Sequence, residues 1–389
     1  CIITGCYATS AGAEHMRSLL PISRAMSMFP QLLRAAGYYC TNNSKEDYNL
    51  DKPGRVWDES SDTAHWRNRA DGQPFFAVFN FTVTHEGMIR KRPWHLQHDP
   101  ERVPLPPYHP DTPEVRHDWA QYYDIITAMD AQVGETLREL EEAGLAEDTI
   151  VFFYGDHGSG MPGHKRCARD AGLHVPLIVS IPEKFRHLAS EDYVRGGESG
   201  RLVSFVDLAP TVLSLAGVQP PPTMQGRAFL GEHEATPCRY LYGFRGRMDE
   251  RYDLVRCCRD RRYIYIRNFM PHLPLGQHVR YMFETPTTRV WHEMYAAGAL
   301  NEAQRFFWEP RPPEELYDLH NDPAETCNLA TSPDHAEVLA RMREACREWM
   351  LAVRDVGLLP EPQIHSRSAG HPPYDMAHDP ERYPMARIM

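Results

Sequence analysis

The sequence predicts an α/β fold: a mixed sheet flanked by helices over residues 1–235, followed by a smaller α+β domain over residues 236–389. Three observations predict it. Ile150–Tyr154 is an unbroken apolar run of β-branched and aromatic residues, too short for a helix and without polar alternation, which is the pattern of a strand covered on both faces. Just before it, Tyr122–Ala143 places Ile125, Ile126, Met129, Val133, Leu137 and Leu140 on one helical face, and Gly144 closes the helix. A helix that feeds a buried strand reads as a βαβ-type crossover. Beyond residue 236 the pattern changes: Tyr252-Asp-Leu-Val-Arg256 and Arg262-Tyr-Ile-Tyr-Ile-Arg267 alternate, as an antiparallel hairpin does.

The remaining elements follow in chain order. Met28, Phe29, Leu32, Leu33 and Ala36 have helical spacing, and Gly37 ends that helix. Tyr38–Thr41 reads as the next strand and opens into the polar loop Asn42–Tyr48, which carries Lys45 and Asp47. Residues 51–73 hold Trp57, Trp66, Arg67 and Arg69, either a wall on which a sugar stacks or a pin for a long loop. Gln73–Phe81 is a Phe-rich strand that delivers Thr84, His85 and Glu86 to its carboxyl end. The stretch 90–113 is Pro-rich, and its histidines, His95, His98 and His109, are rejected as a metal set because such loops seldom hold ligands rigidly. Leu173–Ser180 reads as another buried strand, Phe205–Leu215 as a helix, Pro220–Pro222 as a domain edge, and His335–Val353 as a long helix packing on the C-terminal sheet.

Composition bounds the function. At 389 residues there is chain enough for a large domain and a small one. A net charge of -11 argues against nucleic acid as a partner, and any anionic substrate must be held by local cations. No window approaches a transmembrane segment, in keeping with a mean hydropathy of -0.54. The nine cysteines show neither a disulfide framework nor a zinc spacing, so they say little about compartment.

The chemistry concentrates between Asp148 and Lys165. Asp156 and His157 sit just past the carboxyl end of the strand, the edge where open α/β sheets bind ligands. Gly155, Gly158 and Gly160 let the backbone approach a ligand closely, and Gly163-His-Lys165 returns two potentially cationic side chains to that edge. Asp-His-Gly alone is also a common turn; the carboxylate and imidazole together with a nearby Lys point to a metal site beside an anion.

These residues resemble the sulfatase family of the alkaline phosphatase superfamily. The similarity runs through Ile3-Thr-Gly-Cys-Tyr7, Leu33–Tyr39, Phe75–Asn80 with Thr84-His85, Asp156-His157-Gly158 with Lys165 and Val175–Ser180, Val206–Thr211 with Gln225-Gly-Arg227, and Glu315–Leu319 with Asn321-Asp-Pro323, in family order. The resemblance implies an alkaline-phosphatase-like fold and metal-dependent hydrolysis of a sulfate ester or sulfamate, on a sulfated carbohydrate. It implies Asp156 and His157 as metal ligands and Lys45 and Lys165 as sulfate-binding cations. His85 would bind the sulfate and protonate the leaving oxygen. Ser44 and Asp47 replace the Gly and His of the family's Gly-Lys-x-His pattern, leaving Asp47 as a base or an anchor. The family nucleophile is a formylglycine made from the Cys or Ser of a C-x-P-S-R motif. That motif and a first strand with two Asp ligands are expected upstream of Cys1, so turnover is expected of the complete protein and not of residues 1–389 alone. Cys6 lacks the motif's Arg and is not expected to substitute. Calcium is the expected ion, with magnesium, manganese and zinc as rivals because imidazole is a ligand. A periplasmic, secreted or lysosome-like location follows by resemblance. Two alternatives stay open: a phosphomonoester or phosphonate hydrolase of the same superfamily, and a non-catalytic binding relative.

Overall fold

The computed structural model describes residues 1–385. Its strands, in chain order, are β1 (Tyr39–Asn43), β2 (Glu59–Ser60), β3 (Phe75–Phe79), β4 (Val151–Tyr154), β5 (Leu177–Ser180), β6 (Leu241–Arg245), β7 (Val255–Arg259), β8 (Tyr263–Asn268) and β9 (Glu314–Asp318). The chain divides into two compact units. The first comprises Cys1–Asn80, Phe185–Gly246 and the chain from Glu344; the second comprises Phe81–Lys184 and Arg247–Arg343.

In the first unit β1 lies between β2 and β3, parallel to both, in register from Tyr39 opposite Phe75 to Asn43 opposite Phe79. The helix Phe29–Ala35 carries Pro30 in its first turn, where a missing N–H costs nothing, and is followed by Gly37 with φ of 94°. It packs with the helix Leu208–Leu215 around Met28, Phe29, Leu33, Cys40, Trp57, Ala209 and Leu213. Trp57 and Trp66 are 7% and 4% exposed, and the guanidinium groups of Arg67 and Arg69 stack 4.9 and 5.4 Å from the Trp66 ring centre. These tryptophans therefore pin the loop and cannot form a sugar-stacking wall. Cys6 is buried, its thiol donates to the Thr223 carbonyl at 3.1 Å, and burial pushes its pKa up to about 11. A thiol so far from ionising is no nucleophile.

In the second unit the helix Pro113–Glu142 begins well before the expected Tyr122. Its first turn holds the exposed Pro113 and Glu114, and further on the polar Asp118 and Gln121 are buried beside Val115 and Trp119, which breaks the apolar periodicity. Thr112 caps Val115 N–H at 3.4 Å, and buried Asp118 accepts from Thr287 N–H and Oγ1 at 2.8 and 2.7 Å and from Arg92 at 2.6 Å. Only part of the predicted apolar face is covered: Ile125 is fully buried, while Leu137 is 39% exposed.

Strand β4 departs from expectation. It pairs antiparallel with β5, from Val151 opposite Ser180 to Tyr154 opposite Leu177, and all four of its residues are half-buried. Ile178 on β5 is 60% exposed, so these apolar runs are not covered on both faces. The loop after Tyr154 doubles back, and a short apolar run cannot report the direction of its partner. Leu173, the first residue of the expected strand Leu173–Ser180, instead ends the short helix Asp170–Leu173, and the strand begins only at Leu177. The alternating region forms the antiparallel set β7-β8-β9, with Glu314–Asp318 adding a third strand to the expected hairpin. The long C-terminal helix spans Ala336–Ala352.

Two enclosed imidazoles make this unit acid-sensitive. His109 Nδ1 accepts from Trp119 Nε1 at 3.1 Å, and its Nε2–H donates to the Pro162 carbonyl at 2.8 Å, so the neutral ring has both nitrogens in use. Burial, with the neighbouring His164, pushes His109 down to about 3; burial alone pushes His164 down to about 4. Both pKa values are depressed relative to an unfolded histidine near 6.5, so their contribution to stability is complete above about pH 6.5 and is lost as pH falls toward 4 and 3. Urea midpoints should fall steeply over that window and do so less in His109→Gln. An unchanged pH profile in that variant would remove His109 as the cause.

Candidate active site

The loop Gly155–Arg166 leaves β4 and folds back on the short helix Asp170–Leu173. Gly158 N–H donates to the Gly172 carbonyl at 3.0 Å, and a Cβ on Gly158 would lie 1.9 Å from the Ala171 carbonyl oxygen. Only glycine permits that approach. On this loop Asp156 and His157 converge: Asp156 Oδ1 lies 3.7 Å from His157 Nε2. His157 Nδ1 is 2.6 Å from the Gly158 carbonyl, a distance at which Nδ1 carries the proton and Nε2 presents its lone pair. A fixed imidazole lone pair beside an exposed carboxylate fits two ligands of a divalent ion, with the backbone carbonyl as the orienting partner. No group of three or more His, Cys, Asp or Glu suited to a metal occurs among the described residues.

His85 follows β3 by one turn, its N–H bonded to the Thr82 carbonyl at 3.0 Å. Its Nδ1 accepts from Gly87 N–H at 3.3 Å, which leaves Nε2 to hold the proton of a neutral ring. The Tyr281 ring stands 6.0 Å from the imidazole and carries the Arg90 guanidinium at 3.9 Å.

Sequence reasoning noted Glu86 only as a neighbour of His85, yet it organises the cations of this unit. Its buried carboxylate takes Arg166 in a bidentate pair at 2.7 and 2.8 Å, and Lys165 Nζ lies 3.6 Å from the same group. Burial pushes Glu86 up, but the hydrogen bonds and charge of Arg166, joined by Lys165 and His85, bring it below the ordinary range. Gly160 permits the contact, since its Cβ would lie 2.5 Å from Glu86 Cβ. Arg166 also binds Asp249 at 2.9 Å, so Asp249 belongs to a structural ion network. Lys165 thus sits in an ion pair longer than a hydrogen bond, next to the salt bridge that takes both Glu86 oxygens. His164, read as a second cation, turns inward to Tyr108 OH at 2.8 Å and is neutral. His98 Nδ1 is 2.7 Å from Asp124 Oδ1.

The first unit holds Lys45 and Asp47, both exposed, in the loop after β1. Asn42 ties this loop down: its Nδ2 donates to the Lys45 carbonyl at 3.1 Å, and its Oδ1 accepts from Asn80 at 3.1 Å.

The chain is 38% identical to an ulvan-active sulfatase of Formosa agariphila over 93% of its own length and 68% of that protein. It belongs to the sulfatase family. The Sulfatase family profile matches residues 36–218, which contain Lys45, His85, Asp156, His157 and Lys165. Human N-sulphoglucosamine sulphohydrolase is 30% identical over 73% of this sulfatase and 58% of its own length. The chain thus spans about two thirds or less of these curated relatives. Among solved structures, a phosphonate monoester hydrolase from Silicibacter pomeroyi shares the fold at TM-score 0.63 and 19% identity, covering 92% of this chain and 86% of that one. A protein bound to its substrate D-glucosamine-2-N,6-O-disulfate does so at TM-score 0.60 and 15% identity, covering 91% and 87%. These likenesses bear out the alkaline-phosphatase-like α/β fold.

Proposed function

We propose that the complete protein hydrolyses sulfate esters on a carbohydrate, with Asp156 and His157 as metal ligands, Lys45 and Lys165 as sulfate-binding cations and His85 as general acid. The observation that carries this reading is the single short loop that presents a converging carboxylate and imidazole and ends at Lys165, beside the carboxylate next to His85. Family membership supports it, as do relatives named for ulvan and for N-sulphoglucosamine.

A sulfate ester resists hydrolysis because its anionic oxygens repel nucleophiles and its leaving alkoxide is poor. A bound divalent ion would draw charge from those oxygens. Calcium is our first choice, with magnesium, manganese or zinc admitted by the imidazole. Lys165 and Lys45 would neutralise charge that grows on the sulfate, and such aimed donors are each worth roughly 3 kcal/mol. His85, protonated beside the bound sulfate anion, would pass its Nε2 proton to the leaving oxygen and return to the neutral ring, typically worth about a hundredfold or more. Asp47 would anchor or deprotonate where the family has His. The formylglycine nucleophile of the family is assigned to no residue here. No helix among the described residues is long and apolar enough to cross a membrane, and we place the protein outside the cytoplasm, periplasmic or secreted, on family grounds.

The deciding experiment incubates the complete protein with ulvan, N-sulfoglucosamine and a phosphonate monoester, with and without a chelator. Chelator-sensitive sulfate release is expected. Phosphonate cleavage without sulfate release would transfer the site to the phosphonate reading, and neither product would leave a binding relative.

A further inference from the structure

The C-terminal motif Asn321-Asp-Pro-Ala-Glu325 lies far along the chain from the candidate active-site loop and has no part in the chemistry above. We propose that its Glu325 is a positioning residue, which sets the loop bearing Asp156 and His157 by fixing the short helix on which that loop rests; the catalytic meaning of this rests on the function proposed above.

Glu325 is 2% exposed, and its backbone adopts a left-handed φ of 53°, which a non-glycine residue keeps only where its surroundings demand it. The turn is held by Asp322, whose carbonyl accepts from Glu325 N–H at 3.1 Å and whose carboxylate accepts from the N–H groups of Thr326 and Cys327 at 2.8 Å. From this turn Glu325 Oε2 accepts the backbone N–H of Asp170 at 3.1 Å, and its carbonyl accepts from Arg169 at 3.1 Å. Arg169 in turn pairs with Glu315 and bonds to Tyr317 Oη at 3.0 Å, both on β9. Asp170 is held from a further side by Arg259 on β7 at 2.6 Å.

The helix that begins at Asp170 is therefore clamped by the sheet and by Glu325, and it is the surface against which the loop closes. Gly172 accepts from Gly158 N–H, while its own Cβ would strike the carbonyl oxygens of Cys167 and His164 at 2.3 and 2.5 Å. The contact from Glu325 to Asp170, through Ala171 and Gly172 to Gly158, leaves no slack between the motif and the residue next to His157. Among the described residues Glu325 Oε1 has no hydrogen-bond partner, and burial raises the carboxyl to about 7; the bond that matters is an oxygen accepting from Asp170 N–H, which Gln can copy.

Hydrogen exchange of the Gly158 amide, followed in the folded chain, reads the clamp without reference to a metal. Glu325→Ala should speed that exchange at least about tenfold, and Glu325→Gln should restore the wild-type rate. Arg262→Ala, which removes an ion pair to Asp318 elsewhere in the same sheet, should leave it unchanged. A titration with Mn²⁺ should then show about a tenfold loss of affinity in Glu325→Ala and none in the other two. Unchanged exchange in Glu325→Ala, or equal acceleration by Arg262→Ala, overturns the inference. If exchange responds as expected but wild type binds no Mn²⁺, the clamp stands and the assignment of Asp156 and His157 as metal ligands falls.

Discussion

Replacing Lys165 by Ala in the complete protein is expected to lower kcat/KM for sulfate release at least about a hundredfold, the loss seen when an aimed cationic or hydrogen-bond donor is taken from a developing anion. Arg166 takes both oxygens of Glu86, and the Lys165 ammonium lies 3.6 Å from the same carboxylate, at the end of the loop that carries Asp156 and His157. Lys165→Arg should recover only part of the rate, since a planar fork does not replace a compact point charge. His85→Ala should cost a comparable factor by a different route, and the two are separable by leaving group. An aryl sulfate with an acidic phenol needs little protonation, so it should largely rescue His85→Ala and leave Lys165→Ala slow. Near-normal sulfate release in Lys165→Ala, with an unchanged urea midpoint, would take that residue out of the site.

Much of this candidate site is legible in the sequence because its signals are local. A strand, a carboxylate and imidazole at its end, closely spaced glycines and a Lys all fall within one short stretch, and Gly158 is required by a contact with Ala171, thirteen residues on. What escaped was long-range. Glu86 looked like a neighbour of His85, and only its pairing with Arg166 shows that it gathers the cations. His164 looked like a second cation until Tyr108 and burial made it neutral. For Trp57 and Trp66 a sugar wall and a loop pin both stayed open, because aromatics in a polar segment carry no sign of their own burial. The mixed α/β character was readable from residue pattern. The antiparallel pairing of β4 with β5 was not, since an apolar run of four or five residues has no direction. Nor was the early start of the helix Pro113–Glu142, where buried polar groups such as Asp118 take the place of apolar ones.

Gly158→Ala should abolish sulfate release and lower divalent-ion affinity more than about a hundredfold, although it adds a single methyl group. The added Cβ would begin 1.9 Å from the Ala171 carbonyl oxygen, where carbon and oxygen normally stay about 3.3 Å apart. One side has to move by more than an ångström. The helix Asp170–Leu173 is held by Glu325, Arg259 and the fixed Arg169, so the loop is the side that yields. That displaces His157 and Asp156, and ligand distances tolerate only about 0.2 Å. The strain should also cost roughly 3 kcal/mol of stability. Gly144→Ala is the matched control: its φ is 69° and nothing lies within 4 Å of the new Cβ, so it should cost about 1 kcal/mol of backbone strain and leave ion binding intact. Titration with Mn²⁺ alongside urea unfolding separates the two effects. Wild-type affinity in Gly158→Ala would mean that the loop can close without its contact to Ala171, and that the position of His157 is set by something other than this packing.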